Sequence, residues 1–367
     1  MEPGTGSVRL ELRTDPFIIR DMSFLIYGAN GYTGELIARE AASRGLDPIL
    51  GGRSRNKVEP LAKELGLVCR TFSLDDKKSL DYTLKEVDFV IHCAGPFSLT
   101  SDQMVNGCLR TGTHYLDITG EIAVFEAMAS RDALAKEAGI MVMPGVGFDV
   151  VPSDSLARYI KDNLPEANDL ILAFYGQGGI SHGTQTTMTM NIGKGGAIRK
   201  DGRITSVPAA FETMEIDFGE TRKMAVTIPW GDVSTAYYTT SIPNIRVFTV
   251  VPEKQIKMLK MSRYLGWLLA KGPIQSYLQS KIPEGGPSAN ARERGKTLLW
   301  GKATDRNGNS FEARLQGPEG YKFTMLTALK IAERIIAGEY KPGFQTPAGC
   351  YGPDLVMEIE GVERQRV

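Results

Sequence analysis

The region from Met22 to Asp149 alternates short apolar runs with amphipathic stretches, and this alternation constrains the fold more than any other feature of the chain. The short runs predict strands, and the stretches between them carry apolar residues at the helical period. Strands that alternate with helices require crossover connections, so an α/β fold with a doubly wound parallel sheet is expected. The predicted strands are 24–27, 48–51, 67–72, 88–93, 114–118 and 140–143, and the predicted helices are 34–44, 56–65, 77–85, 101–111 and 122–138.

The pattern changes after residue 150. Strands are predicted without a helix between every pair, and the dipeptides Asp201-Gly202 and Asn307-Gly308 are typical of hairpin turns. A second α+β domain with a mainly antiparallel sheet is therefore expected. Its predicted strands are 169–175, 211–218, 222–229 and 244–251, and its predicted long helix is 254–282; an amphipathic helix over 321–337 is expected to pack back on the first domain.

Composition excludes several classes of protein. Lys+Arg and Asp+Glu both number 43, so the chain has no basic excess for binding nucleic acid. No stretch approaches the roughly 20 apolar residues of a transmembrane segment, so none is predicted. Residues 1–21 lack the apolar core of a signal peptide and are predicted to be a loose N-terminal extension.

The four cysteines and three histidines do not form a metal-binding or disulfide pattern. The cysteines lack CxxC spacing, and no two histidines are four residues apart. No metal site is predicted, and the cysteines are expected to be small buried residues. A cytoplasmic location is the prediction that fits this composition.

The sequence GANGYTG lies between the first predicted strand and the first predicted helix. Such a turn directs backbone N–H groups and a helix N-terminus at one point, which favours a phosphate. Gly28 permits the tight turn, Gly31 permits close approach of a pyrophosphate, and Gly34 permits close packing of helix on strand. The alternative is a glycine-rich turn without a ligand. The predicted cofactor contacts here are Gly28, Asn30, Gly31, Tyr32, Thr33 and Gly34.

The residues at the end of the second strand determine whether the site prefers NAD or NADP. An NAD site would place an acidic residue there to accept the ribose 2′-hydroxyl, but the segment Gly51–Val58 contains none. Arg53, 19 residues after Gly34, can instead bind a 2′-phosphate, and Ser54 can add a hydrogen bond. Although Arg53 and Arg55 could simply be solvated charges, NADP(H) is the predicted cofactor.

The residues after the third and fourth strands are expected to complete the cofactor-binding groove. Asp75, after the third strand, can reach the adenine, or Asp75 or Asp76 can cap the following helix. After the fourth strand, small residues allow the backbone to approach the nicotinamide ribose and the pyrophosphate. These predicted contacts are Cys93, Ala94, Gly95 and Pro96.

Taken together, these motifs resemble those of the saccharopine dehydrogenase-like oxidoreductases. The resemblance rests on GANGYTG, GGRSRNKV, CAGPF, THYLDITGE, GFDVVPSD, SHGTQTT, KDGR, IPWGDVSTAYY and PGFQTPAGCYGPDLV. The second half of the chain is most similar to the branch of this family that includes trans-acting enoyl reductases. The resemblance implies an NADP-binding Rossmann domain over 22–150, a substrate domain over 151–320, and a segment over 321–367 that returns to the first domain.

The resemblance leaves the substrate open. Saccharopine reductases carry a DPG-type motif where this chain has Gly145-Val146-Gly147-Phe148-Asp149, which argues against saccharopine. An oxidoreductase acting on a small-molecule or acyl substrate is predicted. A non-catalytic NADP(H) sensor or scaffold is one alternative. An opine-type amino-acid reductase is another, and it would need Arg199, Arg203 and Arg246 to converge on substrate carboxylates.

Two residues are candidates for catalysis. Asp149 follows the sixth strand at the edge where ligands bind, although it and Ser153 can equally cap the next helix; Asp117 and Glu121, after the fifth strand, present the same choice. His182 is the histidine of a glycine-containing loop in the second domain, where a solvated histidine is the alternative. Tyr237 and Tyr238 could donate a proton, but in the strand predicted here they are expected to pack.

The segment 258–269 combines methionines and other apolar residues with basic residues. It is too short to span a bilayer. Packing in the core or across a homodimer is the preferred interpretation, and a wall for an acyl chain is the alternative.

Overall fold

The computed structural model describes residues 22–191, 195–269, 272–283 and 285–367. The extension predicted for residues 1–21 lies outside the described residues. The chain forms two sheets, one parallel and one mixed, and each carries its own apolar core.

The first sheet has seven parallel strands in the order β15-β6-β5-β4-β1-β2-β3. This order reverses between β1 and β4, so the sheet is the predicted doubly wound one, with a crevice at the switch point. Its strands are β1 (Phe24–Tyr27), β2 (Ile49–Gly52), β3 (Cys69–Thr71), β4 (Phe89–His92), β5 (His114–Asp117), β6 (Met141–Met143) and the late strand β15 (Gly343–Phe344).

Helices connect these strands and cover both faces of the sheet. The helices are α1 (Tyr32–Ser43), α2 (Arg55–Leu65), α3 (Lys77–Leu84), α4 (Phe97–Thr111), α5 (Ile122–Ala129) and α6 (Asp132–Glu137). The single helix predicted for 122–138 is therefore wrong. Ser130 Oγ and Arg131 Nη1 both donate to the Ala127 carbonyl, and the Arg131 N–H bonds instead to Met128, which breaks the helical register.

The second sheet is mixed and mainly antiparallel, as predicted. Its main path is β10-β11-β12-β7-β13-β14-β16, in which only β12 and β7 are parallel, and the β8–β9 hairpin joins β12. The strands are β7 (Ala167–Gly176), β8 (Gly196–Lys200), β9 (Arg203–Val207), β10 (Thr213–Asp217), β11 (Arg222–Thr227), β12 (Asn244–Val250), β13 (Lys296–Asp305), β14 (Ser310–Pro318) and β16 (Glu363–Arg366).

The second region also contains more helix than predicted. Residues around Tyr237 and Tyr238, predicted as strand, lie in a helix whose buried face contains Val233 and Ala236, so packing outweighs their β propensity. The long helix predicted over 254–282 is described as two helices. The helices are α7 (Val151–Asn163), α8 (His182–Asn191), α9 (Asp232–Thr240), α10 (Glu253–Leu269), α11 (Gly272–Gln279), α12 (Ala289–Arg294), α13 (Gly320–Ile336) and α14 (Pro347–Tyr351), with a 3-10 turn at Leu355–Glu358.

Helix α13 joins the two cores. Phe323, at its beginning, packs in the core of the second sheet, whereas Ala328 and Ala332 pack in the core of the first. Thr327 Oγ1 also donates to the Val146 carbonyl at 2.9 Å. The helix therefore fixes the loop after β6 against the second domain.

Candidate functional site

The glycine turn after β1 has the geometry of a phosphate cradle. Gly28 has a φ of +88°, and a Cβ at Gly34 would lie 2.3 Å from the Gly28 carbonyl oxygen. At Gly31, by contrast, a Cβ would meet only that oxygen, at 3.2 Å, and otherwise open space. Within the described residues, the N–H groups of Tyr32 and Thr33 at the start of α1 have no acceptor. The turn is thus rigid on its inner side and open on its outer side.

The turn contacts the loop after β4 at the switch point. A Cβ at Gly28 would lie 2.7 Å from the Ala94 nitrogen, so the two loops leave no room for a side chain there. Thr100 Oγ1 lies 2.7 Å from the Ala94 carbonyl oxygen and 3.0 Å from His92 Nε2. Burial lowers the pKa of His92 to about 3, so this ring is neutral and acts as a support for the loop.

The other residues of this loop are also held by neighbours. Cys93 is half-buried, and burial raises the pKa of its thiol. The thiol therefore stays protonated and is not a nucleophile. Glu121 accepts hydrogen bonds from the N–H groups of Phe97 (2.8 Å) and Ser98 (3.3 Å) and so caps α4 after Pro96. The structure therefore assigns Glu121 to capping, one of the two roles that the sequence left open.

The end of β2 presents a cation at the edge of this crevice. The Arg53 side chain is exposed, and its guanidinium makes no hydrogen bond or ion pair with the described residues. Arg55, two residues on, pairs with Glu59 at 2.9 Å. Ser54 is the N-cap residue before α2, and its hydroxyl donates to Asn56 Oδ1 at 2.5 Å. Of the two arginines, Arg53 is the one available for a ligand.

Asp75 remains exposed beside the same crevice, since the neighbouring acid caps the helix. Asp76 Oδ1 accepts a hydrogen bond from the Ser79 N–H at 3.2 Å at the start of α3. Among the described residues, the Asp75 carboxylate accepts from Ser73 alone, at 3.2 Å. Asp75 is thus not committed to the helix.

Asp117 and Asp149 follow adjacent strands but have different surroundings. Asp117 Oδ1 accepts from the N–H groups of Thr119 and Gly145, both at 2.9 Å, so it ties the loops after β5 and β6 together. The Asp149 carboxylate has no hydrogen bond within the described residues and lies over Gly120, where a Cβ would be 2.6 Å from its Oδ2. Burial raises the pKa of Asp149 to about 7. It does not cap α7, which begins without a side-chain cap.

Helix α13 brings Tyr321 within electrostatic reach of Asp149. The Tyr321 hydroxyl accepts from the Ser181 N–H at 2.6 Å and lies 3.0 Å from Thr184 Oγ1. Burial, together with the charge of Asp149, raises the pKa of Tyr321. His182, predicted in a loop, is instead the first residue of α8, and its side chain is exposed.

Tyr32 connects the glycine turn to the second domain. Its hydroxyl donates to the Pro287 carbonyl at 2.5 Å and accepts from Arg292 Nη1 at 2.7 Å. Its ring contacts Tyr321 edge-on, with 5.1 Å between centroids. The predicted cofactor turn therefore lies next to Tyr321, beside the switch-point crevice.

Two buried acids, Asp154 on α7 and Asp232 on α9, lie close enough for the charge of one to act on the other. Ser153 Oγ is 2.5 Å from Asp232 Oδ1 and 3.0 Å from the Val150 carbonyl. The Ser153 hydroxyl donates to Asp232 Oδ1 and also lies within donating distance of the Val150 carbonyl. Burial raises the pKa of Asp232 well above its usual range, and burial raises the pKa of Asp154 to about 7.

The three arginines that an opine-type reductase would need do not converge. Arg199 is buried, donates to Glu126 at 2.7 Å and lies over the Tyr237 ring. Arg246 pairs with Asp169 and Glu212. Arg203 is exposed on β9. Neither Arg199 nor Arg246 is available to a substrate carboxylate. Among the described residues, no group of three or more His, Cys, Asp or Glu side chains is arranged to hold a metal ion.

Comparison with known proteins identifies the first domain. Residues 24–143 match the family model of the saccharopine dehydrogenase NADP binding domain. The first domain is therefore similar to that domain family. The chain is also 27% identical over 228 residues to the mouse saccharopine dehydrogenase-like oxidoreductase, an alignment that covers 56% of this chain and 48% of that protein. The predicted family resemblance and the oxidoreductase class are confirmed.

Other relatives extend the comparison. The chain is 25% identical over 332 residues to a Caenorhabditis elegans lipid droplet localized protein, covering 75% of this chain and 77% of that one. It is 30% identical over 190 residues to a Mycobacterium tuberculosis protein named as a trans-acting enoyl reductase, covering 46% and 44%. The chain thus spans about half the length of the mouse and mycobacterial relatives. Yeast saccharopine dehydrogenase (L-Glu forming) shares the fold, with a TM-score of 0.64 at 13% identity over 94% of this chain and 100% of that one.

The predicted cytoplasmic location is wrong by these comparisons. The nematode relative is named for lipid droplets, and an Arabidopsis thaliana relative is named as mitochondrial. Composition and cysteine spacing reflect the redox environment, but they do not indicate whether a protein is located at lipid droplets or in mitochondria. As to membranes, no helix among the described residues is both long and apolar enough to cross a bilayer.

Sequence reasoning missed the contribution of the segments 285–295 and 317–324. They bring Arg292, Glu319 and Tyr321 to the crevice, although the strands of the second sheet separate these residues in sequence from the glycine turn. Glu319, which is buried, caps α13 by accepting from the N–H groups of Tyr321 and Lys322. The acid before an amphipathic run predicts such a cap, but no local signal places Tyr321 beside Ser181.

Proposed function

We propose that this chain is an NADP(H)-dependent oxidoreductase that binds its cofactor across the carboxyl ends of β1, β2 and β4. The observation that carries the proposal is the glycine turn, which is open at Gly31, has unpaired N–H groups at the start of α1 and touches Ala94 at the switch point. The proposed cofactor contacts are Gly28, Asn30, Gly31, Tyr32, Thr33, Gly34, Arg53, Ser54, Asp75, Cys93, Ala94, Gly95 and Pro96.

Arg53 supports the phosphorylated form of the cofactor. Its exposed guanidinium lies at the end of β2, where a 2′-phosphate would lie, and no acidic side chain follows in residues 54–58. NADP is also the cofactor in the name of the matching domain family. The oxidised and reduced forms share this phosphate, so the site does not distinguish them.

A reduction by NADPH needs a proton donor as well as a hydride donor, and the crevice contains residues that can donate a proton or a hydrogen bond to the substrate. Bound NADPH would supply a hydride to the substrate. Asp149 has a pKa of about 7, so at neutral pH a large fraction of it carries a proton that it can give to the substrate atom made basic by hydride addition. Tyr321, held by the Ser181 N–H, can donate a hydrogen bond to a substrate carbonyl oxygen.

An acyl substrate fits this arrangement better than an amino acid. Arg199 and Arg246 are paired with protein carboxylates, so neither is available to hold a carboxylate of an opine. A relative named as a trans-acting enoyl reductase supports an α,β-unsaturated acyl substrate. In this proposal the carbonyl oxygen accepts from Tyr321 and Asp149 protonates the carbon that becomes the α carbon. His182, exposed at the start of α8, is retained as a candidate at the entrance.

A turnover panel tests the proposal against its rivals. Wild-type protein with NADPH is mixed with trans-2-enoyl thioesters, or with pairs of 2-oxo acids and amino acids, and loss of NADPH absorbance is followed. The proposal expects oxidation with an enoyl thioester. Tight NADPH binding without turnover of any compound would favour the non-catalytic sensor, and turnover only with the amino-acid pairs would favour the opine reductase.

A further inference from the structure

Three helices of the second domain form an exposed surface that the proposed reaction does not use. Helix α11 packs against both α8 and α10. Five large apolar side chains of these helices and the loop before α8 are exposed to solvent by 45–65%. They are Ile180, Met188, Met258, Met261 and Tyr277. Such a concentration of exposed apolar side chains marks an interaction surface.

Helix α10 has two clearly different faces. Ile256 and Leu259 face inward and pack with Ala210 and Val226. Met258 and Met261 are exposed, and at 100° per residue they lie on the side opposite Ile256 and Leu259. Lys254 and Lys257, also exposed, share that outward side. The outer face of α10 therefore combines methionines with lysines.

The charge around this surface is strongly one-sided. Residues 253–283 of the sequence contain six basic residues and one acidic residue, although the whole chain has 43 of each sign. Lys254, Lys257, Lys260 and Lys281 are exposed. A basic helix with apolar side chains between its lysines is typical of a segment that lies in a lipid interface, with the charged heads at the phosphates and the apolar groups below them.

We propose that the outer surface of α8, α10 and α11 binds the surface of an anionic phospholipid membrane or monolayer. The lysines provide the attraction, and Met258, Met261 and Tyr277 provide shallow insertion. A second copy of this chain is less suitable as the occupant, because two such surfaces would place lysines against lysines. The similarity to a protein named for lipid droplets accords with this surface. The proposal does not depend on the proposed reaction.

Vesicle sedimentation tests the proposal. The full-length protein is mixed with vesicles of phosphatidylcholine alone or of phosphatidylcholine with phosphatidylserine. We expect binding to the anionic vesicles that weakens as salt is added, since the attraction is electrostatic. The variant Lys254→Glu/Lys257→Glu should bind at least about tenfold more weakly, because each basic residue near an anionic surface contributes substantially to binding. Met258→Ser/Met261→Ser should also weaken binding, while keeping its salt dependence.

Matched changes on another exposed surface provide the control. Lys78→Glu/Tyr82→Ser alters an exposed lysine and an exposed aromatic residue on α3 and should leave vesicle binding unchanged. The thermal unfolding of each variant shows that it is folded. Failure of the wild type to bind anionic vesicles, or equal loss in the α3 variant, would overturn the proposal. A dimer in light scattering that Met258→Ser/Met261→Ser dissociates, without vesicle binding, would instead assign the surface to a second copy.

Discussion

Gly34 packs so closely against Gly28 that a Cβ at Gly34 would lie 2.3 Å from the Gly28 carbonyl oxygen, whereas a Cβ at Gly31 would be 3.2 Å from the same atom. Two glycines of one turn thus have different roles. Gly34 is required by the protein's own packing. Gly31 has the ordinary φ of −80° and faces open space, so its missing side chain leaves room for a ligand.

This difference predicts opposite behaviour for two substitutions. Gly34→Ala forces a methyl group into backbone atoms and should destabilise the protein by about 1–3 kcal/mol, the usual cost of overpacking. Gly31→Val should leave the melting temperature nearly unchanged but abolish NADPH binding, because its side chain fills the space of the pyrophosphate. Differential scanning calorimetry and fluorescence titration with NADPH measure the two effects. Unchanged NADPH affinity in Gly31→Val would mean that the turn is purely structural.

Asp149 should control the pH dependence of turnover. The pKa of its carboxyl group is raised to about 7 by burial, and the protonated form is the proton donor, so the reduction rate should fall as pH rises above 7. Asp149→Asn should lower kcat by about 100-fold or more and remove this descending limb. NADPH affinity should change little. The exposed Asp47→Asn is the matched control. A descending limb that persists in Asp149→Asn would assign the titration to another group.

Tyr321→Phe isolates the contribution of one hydroxyl. The ring contact with Tyr32 is kept, but the hydrogen bonds at Ser181 and Thr184 and the donor to the substrate oxygen are lost. We expect kcat to fall by about 100-fold, as for other lost oxyanion donors, with unchanged NADPH affinity. Tyr82→Phe, on the exposed surface of α3, serves as the control. A change confined to KM would indicate a role in substrate binding alone.

The buried Asp232 should make the protein less stable as pH rises. Its pKa is raised well above the usual range by burial, so the folded state holds a proton that the unfolded state releases near pH 4. The corresponding stability is complete below pH 4 and is lost progressively as pH rises toward the folded pKa. Asp232→Asn keeps the acceptor for Ser153 without the charge. Its melting temperature should exceed that of the wild type by about 2–4 °C at pH 8 and match it near pH 4. A constant difference at all pH values would show that Asp232 is ionised in the folded protein.

The first domain could be predicted closely from the sequence, because its strands and helices are local patterns that a parallel sheet reinforces. Strand β1 and helix α1, which begins within GANGYTG, are examples. The second domain was less predictable, since residues near Tyr237 have β propensity but form a helix that buries Val233. At the site, Arg53 follows from its position after β2. The electrostatic proximity of Asp149 and Tyr321 does not, because it depends on how α13 packs between two cores far apart in sequence.

The dissociation constants of NADPH and NADH, in the wild type and in Arg53→Ala, test the central claim most directly. Hydrogen bonds to charged groups contribute about 1.5–3 kcal/mol each, so loss of Arg53 should weaken NADPH by about 10-fold to somewhat over 100-fold. NADH lacks the 2′-phosphate and should bind nearly as before. The loss should be smaller at high salt, because Arg53 is exposed and salt screens the wild-type attraction. Equal losses for both cofactors would show that Arg53 contacts the adenine instead, and tighter binding of NADH than NADPH by the wild type would contradict the assignment of NADP(H) altogether.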